Sequence, residues 1–132
     1  MKPTLLISLT FFLISTAFAQ NMQLSSIKQD TIKLFCQQWV LTTMSAQGKS
    51  ANVPASEAMY VTYKADGNYT DSSARFGVSR GTWTYESKTQ LLYMDGKGNK
   101  TKTKIVKITP SELIMEMEYP TVTMTTTYKR VD

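Results

Sequence analysis

The chain of 132 residues contains no histidine. Histidine is the usual general base at neutral pH and the commonest metal ligand, so its absence excludes Ser-His and Cys-His catalytic pairs. A zinc site would need several cysteine or histidine ligands, which this sequence does not supply. Phosphate-binding glycine loops and G-x-S-x-G elbows are also missing. We therefore expect a protein that is not an enzyme and that carries no metal ion or cofactor.

Cysteine is represented by Cys36 alone, so disulfide bonds within the chain cannot stabilise the fold. A single cysteine is most often a small, buried, apolar side chain, and we interpret Cys36 in this way. The alternative is a reactive thiol or a disulfide bond between two chains.

Long apolar runs are lacking after the first nineteen residues. Residues 1–19 are typical of a signal peptide, with Lys2, an apolar run over residues 5–14, and Ala-Phe-Ala at residues 17–19. The apolar run is too short for a membrane span, which takes about 20 residues. Gln20, and not cysteine, follows the predicted cleavage point, so a lipid anchor is not expected. We predict cleavage, a secreted or periplasmic protein, and no integral membrane segment afterwards; an uncleaved anchor is the alternative.

The excess of positive charge is small, +5 for the whole chain and +4 without Lys2. Nucleic-acid-binding proteins usually concentrate a larger excess on one face, so we expect no nucleic-acid partner. Lys100, Lys102 and Lys104 alternate with polar residues and would share one face of a strand. Such a face is typical of a solvated or protected sheet surface. An anionic ligand or surface is the alternative.

A helical pattern is confined to residues 20–36. Ser26 and Gln29 have the spacing of a capping box, and Ile27, Thr31 and Leu34 fall on one face. We predict one short helix in this N-terminal segment.

From residue 37 onward, runs of β-branched and aromatic residues alternate with turn residues, one run about every ten residues. No segment of helical length separates the runs, so neighbouring strands should pair antiparallel. The pattern predicts an all-β fold: an antiparallel up-and-down β-barrel of about eight strands over residues 37–132.

Alternation along the predicted strands assigns side chains to the barrel interior. We expect Trp83 to lie opposite Leu92, and Ile108 to lie opposite Leu113. The predicted interior residues are then Trp83, Tyr85, Leu92, Met94, Val106, Leu113, Met115, Met117, Val122, Met124 and Tyr128. Glu116 and Glu118, the nearest pair of carboxylates, then fall on the outer surface and not in a catalytic cleft.

The strands carry short motifs in a fixed order. Trp39 lies on the first strand, an aromatic-x-x-Asp-Gly-x-Tyr turn occupies residues 63–69, a Gly-x-Trp strand occupies residues 80–85, and Leu113 begins a late apolar strand. In these motifs the chain resembles the small secreted bacterial lipocalin-like domains, shorter relatives of the lipocalins in the calycin group of β-barrels. The resemblance covers most of residues 38–118.

Two positions differ from the pattern of the larger lipocalins, and a third agrees with it. Gln37 replaces the glycine of the first-strand signature, and no tyrosine follows Asp71 in the second signature. Lipocalins also have a late arginine that packs over the first tryptophan, and Arg130 stands at the position suited to that role.

The resemblance implies a small apolar or amphipathic ligand inside the barrel. Six methionines from residue 44 onward would let the interior adapt to the shape of such a ligand. The predicted binding residues are Trp39, Tyr63, Trp83, Tyr85, Met94, Lys102, Met115, Met124 and Arg130. Lys102 and Arg130 would be available to an acidic head group.

The alternative is a filled barrel, because an eight-stranded barrel is only just wide enough for one small ligand. The protein would then be a protein-interaction module, such as a periplasmic inhibitor or assembly factor. Its contact loops would be residues 45–58 and 70–80, the longest candidates in the sequence.

Overall fold

The computed structural model describes residues 30–132, and the compact unit discussed below spans Ile32–Asp132. The predicted signal peptide and the start of the predicted helix, with Ser26, Ile27 and Gln29, lie outside the described residues. Residues 30–35 are helical and are called α1. Among the described residues, no helix is long and apolar enough to cross a membrane.

Strands make up most of the chain after α1. In residues 30–132 they are β1 (Gln38–Ala46), β2 (Lys49–Asn52), β3 (Met59–Tyr63), β4 (Asn68–Ser73), β5 (Gly77–Glu86), β6 (Leu91–Gly96), β7 (Asn99–Ile108), β8 (Glu112–Glu118) and β9 (Thr123–Arg130).

Every strand pairs antiparallel with the next along the chain from β3 to β9, and β9 returns to pair with β1. The sheet is therefore a closed up-and-down barrel, as predicted. On its other edge, β1 pairs with β3 through Gln38–Val40 and with β2 through Thr43–Ala46. Because β2 and β3 share one edge of β1, nine strands fill eight positions around the barrel.

The interruption between β2 and β3 has a local cause. Pro54 has no backbone N–H to donate to a ladder, and the next residues form a 3-10 turn, Ala55–Glu57. The β3–β4 pairing stops at Met59 and Ser73. After the β3–β4 pairing ends, β2 continues the wall but pairs with β1 alone. The wall is therefore incomplete between β2 and β4.

The two ends of the barrel differ. Residues 32–35 of α1 and the turns at residues 64–67, 87–90 and 109–111 lie at one end, which is called the closed end. The turns at residues 74–76 and 97–98 lie at the other, called the open end. The fully buried Phe35, the last helical residue of α1, fills the closed end.

On the strands, the interior assignments agree with the predicted alternation except at Val106, which was predicted to face inward; Val122 lies in the turn before β9. Trp83 pairs with Met94 and not with Leu92, a shift of two residues that leaves the same face inward. Ile108 pairs with Leu113 as expected, but the ladder shifts between Ile105 and Lys107. Val106 is the extra residue of this β-bulge and is 51% exposed, whereas Ile105 is buried. The prediction for Val106 was wrong because a bulge moves every residue on one side of it to the opposite face.

Glu116 and Glu118 lie on the outside, as predicted. They border an outer groove together with Lys102 and Lys104. The lysine face of β7 is therefore solvated.

Candidate functional site

The closed end is a cluster of aromatic rings around Phe35. The centroid of its ring lies 5.0 Å from that of Tyr85, 5.6 Å from that of Trp83 and 5.8 Å from that of Tyr63. Trp39 is fully buried and donates a hydrogen bond from Nε1 to the Phe35 carbonyl oxygen at 3.1 Å. These contacts fix the end of α1 against the first strand and exclude water from this end.

The two central motifs of the sequence contact each other in the structure. Trp83 donates from its backbone N–H to the Gly67 carbonyl oxygen, and from Nε1 to the Lys64 carbonyl oxygen, both at 2.8 Å. Gly67 has a φ of +88°, a backbone conformation that is unfavourable for residues with a side chain. Asp66 accepts a hydrogen bond from the Asn68 backbone N–H at 3.0 Å. The Asp-Gly turn and the Gly-x-Trp strand therefore form one unit.

Glycine is required at position 81 because neighbouring atoms leave no space for a side chain. A Cβ atom at this position would overlap the Asp95 carbonyl oxygen and lie 2.6 Å from Cε1 of Tyr69. The ring of the buried Tyr69 thus lies across Gly81 and reaches Gly96 on the next strand. The motif residues stabilise the barrel wall and do not themselves constitute a binding site.

Above the aromatic cluster, toward the open end, the interior contains a half-open cavity of about 160 Å³. The lining is mainly apolar or aromatic, with three threonines and one carboxylate. The lining residues are Met59, Tyr60, Val61, Tyr63, Asp71, Met94, Thr101, Thr103, Met115, Met117, Thr126 and Tyr128. Larger grooves near β4–β5 and near β7–β8 lie on the outer surface.

Tyrosine hydroxyl groups face this cavity. Tyr63 is almost completely buried, and its hydroxyl lies 3.8 Å from Sδ of Met94. Burial raises the pKa of Tyr63 well above 10, and the charges of other tyrosines and of Asp71 add to this effect. The pKa values of Tyr69 and Tyr128 are also raised. In both cases burial has the larger effect and the negative charge of Asp71 a smaller one. The charge of Asp71 therefore disfavours ionisation of all three tyrosines.

The raised pKa of Tyr63 makes stability depend on pH under alkaline conditions. Between about pH 10 and the pKa in the folded protein, the unfolded chain releases a proton that the folded chain retains, so stability falls as the pH rises. Below about pH 10 the group has no effect. We expect Tyr63→Phe to lose less stability than the unchanged protein between about pH 9 and about pH 11, measured by urea unfolding. Equal losses in both proteins would contradict this assignment.

The structure places the predicted binding residues at three levels. Tyr63, Met94 and Met115 line the cavity, and Met124 pairs with Met117 near the open end. The other three aromatic residues lie in the core at or near the closed end; they are Trp39, Trp83 and Tyr85.

The two predicted cations are not brought to the cavity. Lys102 lies on the exposed outer face of β7. Arg130 pairs with Trp39 in the β1–β9 ladder, but its guanidinium is exposed and forms an ion pair with Asp132 at 3.3 Å. Neither position agrees with a role in holding an acidic head group inside the barrel.

Sequence reasoning missed Asp71 and Phe35. Asp71 is two residues from Tyr69 on β4, so alternation alone would have placed both on one face. The helical pattern favoured Leu34, but Leu34 is half-buried and the adjacent Phe35 is fully buried.

Cys36 is free, half-buried and packed against the core cluster. Burial raises the pKa of its thiol, so at neutral pH it is protonated and weakly nucleophilic. In residues 30–132, no group of three or more Cys, Asp or Glu side chains is arranged to hold a metal ion.

A model of the lipocalin-like domain family matches residues 37–115. The structure is similar to the crystal structure of a lipocalin-like protein from Bacteroides uniformis, with a TM-score of 0.58 and 12% sequence identity. That similarity covers 74% of this chain and 99% of the other. No curated protein matches the sequence. Since the family model spans more than half of the residues and the barrel has the corresponding topology, the chain belongs to the lipocalin-like domain family.

Proposed function

We propose that this protein binds a small apolar or amphipathic molecule in the cavity at the open end of its barrel, without chemical conversion of that molecule. The observation that carries the proposal is the half-open cavity above Tyr63, lined by Met94, Met115 and Met117. The signal-peptide pattern supports binding outside the cytoplasm.

The size of the cavity defines the size of the ligand. An apolar protein cavity of about 150 Å³ can hold benzene, and the cavity here is about 160 Å³. It therefore suits a single ring or a short alkyl segment, and a longer molecule would extend through the open end. The methionine side chains can change rotamer with little cost, so molecules of somewhat different shape would fit.

A methionine-methyl NMR titration tests the proposal. The protein is labelled with ¹³C at the methionine methyl groups and titrated with hexan-1-ol. We expect saturable shifts for the lining residues Met94, Met115 and Met117. Thr126→Phe should weaken binding by about tenfold or more, because the ring would occupy part of the cavity that the buried Thr126 lines.

Thr125→Phe is the matched control. Thr125 is the adjacent residue on β9 and pairs with Glu116 on the outer face, so its ring would not enter the barrel. We expect this variant to bind hexan-1-ol as the unchanged protein does. Equal binding by all three proteins, or no saturable shift in the unchanged protein, would contradict the proposed site.

The second candidate is the protein-interaction module with a filled barrel. It is favoured by Phe76 and Val78 near the tip of the β4–β5 hairpin, which are 74% and 61% exposed. The absence of saturable binding in the titration above would favour this candidate, with the hairpin as its contact surface.

A further inference from the structure

The lining of the cavity includes one charged side chain, Asp71. In the ladders, Asp71 pairs with Val61 on β3 and with Ser79 on β5. Val61 is buried in the interior, so Asp71 is on the inward face of its strand. The side chain is half-buried. A carboxylate thus lies in a wall that is otherwise neutral.

This carboxylate has no cationic partner among residues 30–132. The ion pairs there use Glu112, which accepts from Lys107 and Lys129, and Asp132. The hydrogen bonds from these lysines lower the pKa of Glu112. No fully buried side-chain oxygen in this part of the chain lacks a partner, so the Asp71 carboxylate, which forms no side-chain hydrogen bond there, is at least partly accessible.

The groups around Asp71 suit a positively charged ligand. Tyr63 and Tyr128 line the same cavity, and aromatic faces attract ammonium groups through their quadrupoles. An isolated carboxylate in a partly apolar site is unfavourable unless an ion pair or hydrogen bonds compensate for its lost hydration. A bound ammonium group would supply that compensation, while Met94 and Met115 would contact the apolar part of the ligand.

We infer that the ligand is a small apolar molecule that carries a protonated amine, and that Asp71 binds the amine. This inference rests on the proposed function, since it requires the cavity to bind a ligand. It specifies a cationic head group where the sequence led us to expect an acidic one.

Three probes of equal chain length test the inference: hexylammonium, hexan-1-ol and hexanoate. Calorimetric titration of the full chain should show hexylammonium binding about tenfold more tightly than hexan-1-ol. Hexanoate should bind more weakly than hexan-1-ol because its charge repels that of Asp71. Asp71→Asn should make the affinities for hexylammonium and hexan-1-ol equal, with an unfolding midpoint no lower than that of the unchanged protein.

Asp95→Asn is the control, because it removes the same charge from an exposed position outside the cavity lining. It should keep the tenfold preference for hexylammonium. Hexan-1-ol binding without this preference would overturn the role of Asp71 and leave the proposed function intact. A preference retained in Asp71→Asn would also overturn it. Failure of all three probes to bind would overturn both. The comparison of probes in the unchanged protein needs no variant to fold.

Discussion

Trp83→Ala is expected to lower the free energy of unfolding by about 3–5 kcal/mol. Trp83 is 5% exposed, and its ring contacts the rings of Phe35 and Tyr63 at centroid distances of 5.6 and 5.4 Å. The substitution removes these contacts and one of the two hydrogen bonds to the Lys64 carbonyl oxygen, which keeps only the bond from the Gly67 N–H. Urea unfolding monitored by far-UV circular dichroism measures the change, because the variant loses one of the two tryptophan fluorophores.

Trp83→Phe separates the two contributions. A phenylalanine ring retains most of the packing against Phe35 but cannot donate to Lys64, so we expect a smaller loss of about 1–2 kcal/mol. A denaturation midpoint for Trp83→Ala equal to that of the unchanged protein would show that the tryptophan does not face the interior.

Gly81→Ala is the second substitution with a large expected effect, a loss of about 3 kcal/mol. The new methyl group would overlap the backbone carbonyl oxygen of Asp95, which can move only if the β5–β6 ladder shifts. The ring of Tyr69 would have to move as well. Thermal unfolding of the variant provides the measurement.

Gly98→Ala is a suitable comparison. Gly98 lies in a turn at the open end with φ +77°, and an added Cβ would meet no atom within 4 Å. The substitution should therefore cost only the strain of a positive φ, about 1 kcal/mol. If both variants unfold at the same temperature, the close approach of Tyr69 and Asp95 to Gly81 is not a feature of the folded protein.

Much of the barrel could be predicted because its determinants are local. Turn residues and strand alternation repeat along the chain, and together with the motif order they predicted an antiparallel barrel of about eight strands. The structure shows how these motifs contact one another. Tyr63 and Gly67 lie apart from Trp83 in sequence, but both contact it in the folded barrel. The short motifs therefore stabilise one another.

The errors arose where a long-range arrangement overrides the local pattern. The register of Ile108 and Leu113 was predicted, but no local signal identified the bulge that turns Val106 outward. The break between β2 and β3 is similar, since both segments pair with the same edge of β1. Such features depend on how the barrel closes and not on the residues of one strand.

The residues that line the cavity were predicted only in part. Tyr63, Met94 and Met115 were identified because apolar residues at alternating positions define the interior. Lys102 was assigned to the binding site because of its charge. It is adjacent to the buried Thr103 on β7, so alternation places its side chain on the outer face. Asp71 was overlooked because a polar residue on a strand usually faces solvent.

A crystal structure of the full chain under xenon pressure is the most direct test of a ligand cavity in the barrel, because xenon enters apolar cavities of this size. We predict xenon bound inside the barrel between Tyr63, Met94 and Met115. A barrel whose methionine side chains fill this space, with no xenon in the interior, would contradict it.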